Sequence, residues 1–214
     1  MKRIYMIAVA VLCASFAALA QSTESNLCYN YDFSSEKGHF DGWNLDFDWT
    51  GNSHWQGNHL HASYLAVYLG KKNVLKMEVP KHFEAKVETP LIPYAAGERY
   101  RCSFDIYVDG FNMKMRFNGY NFKPGIRPYE NPALSDLRPV YRTEQMDVKR
   151  GSWKTVSMDF PNNTQISATA YSHLKKTRYI SVLTYVPGFT YGAGNFYIAN
   201  MRITKLPGTV KVGK

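Results

Sequence analysis

Most of the chain alternates apolar and polar residues with a period of two, and helical periodicity is almost absent. Short alternating segments that are separated by Gly, Pro and Asn are typical of β-strands joined by turns. Strands are predicted at Cys28–Phe33, Leu45–Trp49, Leu60–Leu69, Val74–Val79, Lys86–Leu91, Tyr100–Asp109, Phe111–Asn118, Trp153–Phe160, Tyr179–Val186 and Phe196–Lys205. About ten short strands of this kind favour an all-β sandwich or barrel.

A two-residue hairpin is predicted at Asp109-Gly110, because Asp-Gly supplies the positive φ values of a type I′ turn. This register would place four apolar pairs on one core face: Val108 with Phe111, Ile106 with Met113, Phe104 with Met115, and Cys102 with Phe117. The outward face would then carry Tyr107, Lys114 and Arg116, with Asp105 holding Lys114 in place.

One segment, about residues 121–150, interrupts the strand pattern. It contains Pro124, Pro128, Pro132 and Pro139 among many charged residues. Proline removes hydrogen-bond donors and is disfavoured in central strands. We therefore expect a long proline-rich loop or insertion here, which is either functional or a solvated excursion over a sheet edge.

The first twenty residues have the pattern of a secretory signal peptide. Lys2 and Arg3 precede an apolar run that ends in Ala18-Leu19-Ala20, a small-x-small cleavage sequence. We expect residues 21–214 to form a single exported domain, periplasmic or extracellular, with no transmembrane segment. Loss of these two basic residues lowers the net charge from +9 to +7. Export disfavours intracellular nucleic acid as a partner, and the charge suits an acidic glycan or an anionic surface.

Two cysteines remain after cleavage, Cys28 and Cys102. An oxidising compartment permits a disulfide bond between them. Cys102 belongs to an inward-facing series of apolar residues, whereas the alternation around Cys28 points that side chain the other way. The sequence therefore leaves the bridge open.

Three segments resemble the jelly-roll carbohydrate-binding modules of the galactose-binding-domain-like superfamily. Tyr31-Asp32-Phe33 and Gly42-Trp43 are similar to the opening F-E-x-G…GW pattern of that family. Residues 151–156 are similar to its G-x-W-x-x-V strand, and residues 196–203 to its closing Y-I-D-x-V-x-I strand. The resemblance implies a two-sheet antiparallel jelly-roll β-sandwich that binds a glycan without chemistry.

The resemblance also bears on metal binding. Family members often hold a structural calcium with acidic residues, but Ser34 and Ala199 stand where two of those acids would be. Calcium requires several hard oxygen ligands, so we expect neither a metal nor any other cofactor. His54, His59 and His61 lack the further ligands that a zinc site needs.

Sugar binding requires flat aromatic surfaces together with a few polar groups. By their alternation, Trp43 and Trp49 are predicted to face the core, and the resemblance implies the same for Trp153. Trp55 lies in a polar, turn-rich loop without a local apolar face, and is predicted to anchor a ligand. The loop leads into a strand on which Tyr64 and Tyr68 would form an aromatic row.

We therefore predict a carbohydrate-binding protein without catalytic residues. Its expected ligand contacts are made by Trp55, Tyr64, Tyr68, Tyr107, Lys114 and Arg116. The abundance of Tyr, His and Arg keeps open a second function, a polysaccharide lyase acting on an acidic glycan. A surface adhesion protein with a protein partner is the third class.

Overall fold

The computed structural model describes residues 27–34, 39–49, 62–81, 83–186 and 193–213. The strands are β1 (Leu27–Tyr31), β2 (Asn44–Trp49), β3 (Ala62–Tyr68), β4 (Lys71–Val79), β5 (Phe83–Glu88), β6 (Ile92–Pro93), β7 (Arg99–Asp109), β8 (Met113–Phe122), β9 (Leu137–Arg142), β10 (Met146–Val148), β11 (Gly151–Phe160), β12 (Gln165–Ile166), β13 (Tyr179–Val186), β14 (Gly194–Leu206) and β15 (Lys211–Val212). Within these ranges, one α-helix, α1, spans Ala168–Leu174. Each of the ten predicted segments coincides at least in part with an observed strand.

Two antiparallel sheets form a jelly-roll sandwich, which confirms the predicted fold class. Sheet A has the order β11-β7-β14-β4-β3, and β1 pairs with β14. Sheet B has the order β10-β8-β13-β5-β2, with β6 beside β13 and β9 beside β8. Strands β12 and β15 form a small parallel pair. Within the described ranges, no helix has the length and apolar character needed to cross a membrane.

The core lies between the inward faces of the two sheets. Its largest completely enclosed side chains include Phe104 and Ile106 from β7, Met115 and Phe117 from β8, and Phe196 from β14. Burial of such side chains removes apolar surface from water and is the main stabilising contribution to folding. The alternation of the sequence therefore predicted the inward positions of β7 and β8 correctly.

The hairpin predicted at Asp109-Gly110 is wrong, because β7 and β8 belong to different sheets. β7 pairs with β11 and β14, whereas β8 pairs with β13, β9 and β10. Gly110 has a φ of +90°, and a Cβ atom there would lie 2.6 Å from the carbonyl oxygen of Ala193. The chain turns tightly at this point and crosses from one sheet to the other. Apolar alternation cannot distinguish the two arrangements, since both bury the same side chains.

The segment 121–150 contains strands, so its prediction as a long loop is wrong in part. β9 and β10 both pair with β8 and together form an edge of sheet B. Between them, the backbone N–H of Phe117 donates to Thr143 Oγ1 at 2.9 Å. Pro139 lies in β9 opposite Tyr120. An edge strand tolerates proline because its outer side needs no ladder donor.

Helix α1 was not predicted from the sequence. Its first turn is capped by Ser167, whose Oγ accepts a hydrogen bond from the Ala170 backbone N–H at 3.1 Å. Leu174 is its buried residue. A helix of seven residues is too short for its apolar periodicity to be identified by pattern.

The question of a disulfide between Cys28 and Cys102 is answered by the fold. These two described thiols are not joined: Cys102 is enclosed in the core, and Cys28 lies on the surface in β1. Burial raises the pKa of both thiols above the ordinary value. The opposite orientations inferred from the alternation agree with this arrangement.

Candidate functional site

The outward face of sheet B carries a cavity of about 580 Å³, here called the polar cavity. Its lining is rich in charged and amide side chains and consists of Asn44, Lys86, Glu88, Arg116, Asn118, Tyr120, Leu134, Ser135, Arg142 and Leu183. This volume lies within the range of small-molecule binding sites.

Sheet register brings these side chains together from distant parts of the chain. Leu183 in β13 lies opposite Glu88 of β5 on one side and opposite Arg116 of β8 on the other. Asn44 of β2 lies opposite Glu88. Side chains at every second strand position share a face. The residues that precede and follow these positions along each strand therefore point into the core, while these residues face the cavity.

A buried carboxylate organises the floor of the polar cavity. Glu88 is only 5% exposed, and its Oε1 accepts hydrogen bonds from Tyr120 Oη at 2.6 Å and from Asn118 Nδ2 at 3.1 Å. The Ser181 hydroxyl also donates to Oε1. Burial, reinforced by the neighbouring Glu88 carboxylate, raises the pKa of Tyr120. The Tyr120 phenol therefore keeps its proton at neutral pH.

Two lining side chains have buried polar atoms that lack a hydrogen-bond partner among the described residues. They are Asn118 Oδ1 and Arg116 Nε. The Asn118 amide nitrogen is already engaged with Glu88 and Tyr120, which leaves its oxygen as an acceptor. The Arg116 guanidinium carbon lies 5.5 Å from the centre of the Tyr185 ring. An unsatisfied buried polar group costs about 1–3 kcal/mol, and both atoms lie beneath the accessible surface of the lining.

The charge around the polar cavity is predominantly positive. Lys86, Arg116 and Arg142 contribute cations to the lining, and Glu88 is the one carboxylate among its described residues. Lys86 lies 3.2 Å from Glu84, so one of these cations is partly compensated at the surface. Within a concave site, such an excess of positive charge attracts anionic ligands.

The outward face of sheet A carries a different group, here called the aromatic cluster, formed by Tyr68, Tyr107, Trp153 and Tyr197. Tyr68 stacks on Tyr197 with a centroid distance of 3.9 Å and an interplanar angle of 9°. The Tyr107 ring lies 5.5 Å from Tyr197 and 6.0 Å from Trp153. Tyr197 is 5% exposed, so the other rings cover it.

A carboxylate network adjoins the aromatic cluster on the same face. Asp105 accepts hydrogen bonds from Lys71 Nζ at 2.7 Å, Thr155 Oγ1 at 2.6 Å and Asn200 Nδ2 at 2.7 Å. Burial raises the pKa of Asp105, but the three hydrogen bonds together outweigh it and hold the pKa below the ordinary value. The prediction that Asp105 holds Lys114 is wrong; Lys114, in the other sheet, donates to Gln145 Oε1 at 3.3 Å.

The predicted binding residues are distributed over both sheets and the core. Trp55 lies outside the described residues. Tyr68 and Tyr107 belong to the aromatic cluster, whereas Lys114 and Arg116 lie in sheet B. Among the members of the predicted set that the structure describes, only Arg116 lines the polar cavity.

Tyr64 and Tyr68 do not form the predicted row. Tyr64 packs against the main core and stacks on His39 at 3.9 Å, whereas Tyr68 lies on the outward face of sheet A. Asn73 in the neighbouring strand has a φ of +53°, and its Oδ1 accepts a hydrogen bond from Tyr64 Oη at 2.7 Å. This irregularity breaks the strict alternation on which the predicted row depended.

The predictions for the tryptophans have mixed outcomes. Trp43 is buried in the core as expected, and the side chain of Trp49 lies outside the described part. The assignment of Trp153 to the core is wrong, since it is half-buried in the aromatic cluster. A register shift between Gly151 and Lys154 lies at this position, and Thr155 on the same face bonds to Asp105.

Sequence reasoning missed Glu88 and Asn118. Polar residues at alternate positions of β8 and β13 were visible in the sequence, but such a pattern is also typical of a solvated strand face. Only the pairing of β5, β13 and β8 shows that these positions converge on one carboxylate.

The sequence matches no protein-family model and no curated protein, but solved structures share its fold. An arabinose-bound α-L-arabinofuranosidase, MgGH51, matches with 10% identity over 84% of this chain and 26% of that one, with a TM-score of 0.51. A family 61 carbohydrate-binding module, TmCBM61, in complex with β-1,4-galactotriose matches with 14% identity over 85% and 99%, at 0.47. A family 11 module from Clostridium thermocellum, in complex with a β-1,3-1,4-mixed-linked tetrasaccharide, matches with 14% identity over 87% and 96%, at 0.45. At these identities the similarity concerns the fold alone.

Proposed function

We propose that this protein is an exported carbohydrate-binding protein that holds its glycan in the polar cavity. The observation that carries the proposal is the Glu88–Asn118–Tyr120 network, which fixes polar side chains at the floor of a cavity large enough for a sugar. Sugar hydroxyls donate and accept hydrogen bonds and therefore complement such a lining. Leu183 and Leu134 supply apolar surface for the carbon face of a sugar ring.

An acidic glycan fits the polar cavity better than a neutral one. Arg116, Lys86 and Arg142 surround a site in which Glu88 is already engaged by three donors. Arginine pairs with carboxylates through two parallel hydrogen bonds. A uronic acid would thus find cations for its carboxylate and hydrogen-bond partners for its hydroxyls.

Binding without bond cleavage agrees with the chemistry of the described lining. Glycosidases require two carboxyl groups on either side of the scissile bond, and the described lining residues of the polar cavity include one, Glu88. A lyase requires a residue that can abstract a proton. Tyr120 is poorly suited to this role because burial raises its pKa.

A glycan array followed by titration calorimetry tests the proposal. Arg116→Ala and Asn118→Ala are expected to weaken binding about tenfold or more, since each removes a hydrogen-bonding group from the site. Arg202→Ala, the same change as the first but on the exposed face of sheet A, serves as the matched control. Equal binding by all three variants would contradict this placement of the site.

Salt dependence and product analysis separate the alternatives. Affinity for an acidic polymer should fall steeply with ionic strength, whereas affinity for a neutral sugar should not. Unsaturated oligosaccharides appearing from an acidic polysaccharide would support a lyase instead.

Trp55→Ala tests the predicted loop anchor: a binding loss of about 1–3 kcal/mol with unchanged stability is expected if Trp55 stacks on the glycan.

A further inference from the structure

A second cavity adjoins the polar cavity on the same side of the molecule. It has a volume of about 460 Å³ and shares Asn44 and Leu134 with the polar cavity. We call it the uncharged cavity, because its described lining contains no Asp, Glu, Lys or Arg. Its apolar lining residues include Trp43, Pro90, Leu91, Pro93 and Ala133.

Two polar side chains beside the uncharged cavity, Thr89 and Tyr179, are used within the protein, whereas the buried Trp43 Nε1 has no hydrogen-bond partner among the described residues. Thr89 Oγ1 accepts a hydrogen bond from the Val182 backbone N–H at 3.0 Å and donates to the Pro90 carbonyl oxygen at 3.1 Å. The Tyr179 hydroxyl donates to the Tyr129 carbonyl oxygen at 3.3 Å. The remaining wall residues are mostly apolar, with Asn44 and Asn131 as the amide side chains of the lining.

The shape of the uncharged cavity is held by rigid residues. Trp43 is 5% exposed and packs against Phe33 with a centroid distance of 5.0 Å. Gly42 has a φ of +76°, and a Cβ atom there would lie 3.3 Å from Pro90 Cγ. A pre-formed apolar site avoids the entropic cost of ordering its walls when a ligand binds.

We propose that the ligand is a glycan bearing an apolar substituent, an alkyl or acyl group, whose sugar lies in the polar cavity while the substituent fills the uncharged cavity. The inference rests on the proposed function, because the sugar must occupy the polar cavity for its substituent to reach the adjoining one. The two cavities meet at Asn44 and Leu134. Four charged side chains line the polar cavity, and none lines the uncharged cavity. This division matches a ligand with one hydrophilic and one apolar part.

The test compares methyl and octyl β-D-glucuronide, together with methyl and octyl β-D-glucoside, by NMR titration of the full-length protein below the micelle concentration. The octyl glucuronide is expected to bind at least tenfold more tightly than the methyl glucuronide, because methylene groups leave water. Amide shifts at Leu91 and Ala133 should move with the octyl compounds only. Ala133→Trp, which places a large side chain in the uncharged cavity, should abolish the octyl preference, whereas Ala168→Trp on the exposed start of α1 should keep it.

Each outcome decides a different question. Equal affinity of the methyl and octyl compounds for the wild-type protein would overturn the inference and leave the proposed function standing. An octyl preference that survives Ala133→Trp would place the chain elsewhere and also overturn it. No binding of any of the four compounds would count against the sugar site itself, and the inference would fall with it.

Discussion

The two outward faces of the sandwich differ in how their side chains are packed. On sheet A, four aromatic rings bury one another, and Tyr197 beneath them is almost inaccessible. On sheet B, charged and amide side chains surround a cavity with Glu88 at its floor. Aromatic rings bury one another's carbon surface by direct contact. Charged groups of like sign repel one another, and a buried charge needs a specific partner. The side chains on sheet B therefore stay apart and leave a cavity that a polar ligand can fill.

Aromatic residues in this sequence were a poor guide to the position of the polar cavity. Tyr68 and Tyr107 were predicted as ligand contacts because aromatic side chains bind sugars. In the structure they pack against Trp153 and Tyr197 on the face opposite the polar cavity. Their arrangement favours a stabilising role, and the proposed binding site consists of residues that are individually unremarkable in the sequence.

The largest expected effect is on the sheet B face. Glu88→Ala removes the acceptor shared by Tyr120, Asn118 and Ser181; the two hydroxyls lose their acceptor, and Asn118 Nδ2 keeps only its hydrogen bond to Tyr120. We expect the free energy of unfolding to fall by about 3 kcal/mol, with loss of glycan binding. Urea denaturation measures the first effect and calorimetry the second. Glu78→Ala, at an exposed position of β4, is the control and should change stability by less than about 0.5 kcal/mol.

The next effect tests whether the aromatic cluster is structural. Tyr68→Ala removes the ring stacked on Tyr197, and we expect a loss of stability of about 2 kcal/mol with glycan affinity unchanged. Val67→Ala on the same strand, where the side chain is 62% exposed, should have almost no effect. Weaker binding by a Tyr68→Ala protein of normal stability would restore the predicted ligand contact and remove the contrast between the faces.

A smaller, pH-dependent effect belongs to the Asp105 network. Its folded-state pKa is lowered, so its stabilising contribution is present above the unfolded value of about 3.9 and is lost as the pH falls through the folded value. Asp105→Asn should therefore reduce stability by about 1–2 kcal/mol at pH 7 and by much less near pH 2. Asp147→Asn, at an exposed position of β10, is the control. A difference that persists unchanged in acid would contradict the ionic explanation.

The smallest expected effect concerns metal. Ala199 lies on the sheet A face directly opposite Asp105, and Ser34 donates its hydroxyl hydrogen to Asp32 Oδ1 at 2.6 Å. Neither side chain offers the carboxylate that calcium prefers. Addition of EGTA should leave the melting temperature unchanged in a thermal scan. A clear decrease would reveal a bound ion that stabilises the fold by mass action.

The sequence predicted strands and inward faces well, but not which strands are neighbours. Period-two alternation identifies the buried side of β7 and β8 whether they pair or face each other across the core. Local irregularities at Asn73 and near Trp153 then moved aromatic side chains to unexpected faces. The convergence on Glu88 depends on strands distant in sequence, and no local pattern encodes it.

The crossing of the chain at Gly110 has a consequence for the order in which the molecule assembles. Since β7 does not pair with its successor, its central neighbour is β14, and the hydrogen bond between Asn200 and Asp105 joins residues 95 positions apart. Folds dominated by such distant pairings form slowly, because a long stretch of chain loses conformational entropy before its stabilising contacts form. A polypeptide that emerges N-terminus first exposes the unpaired edges of β4 and β7 until residues 194–206 arrive. Those open edges are templates for aggregation until the last long strand closes sheet A.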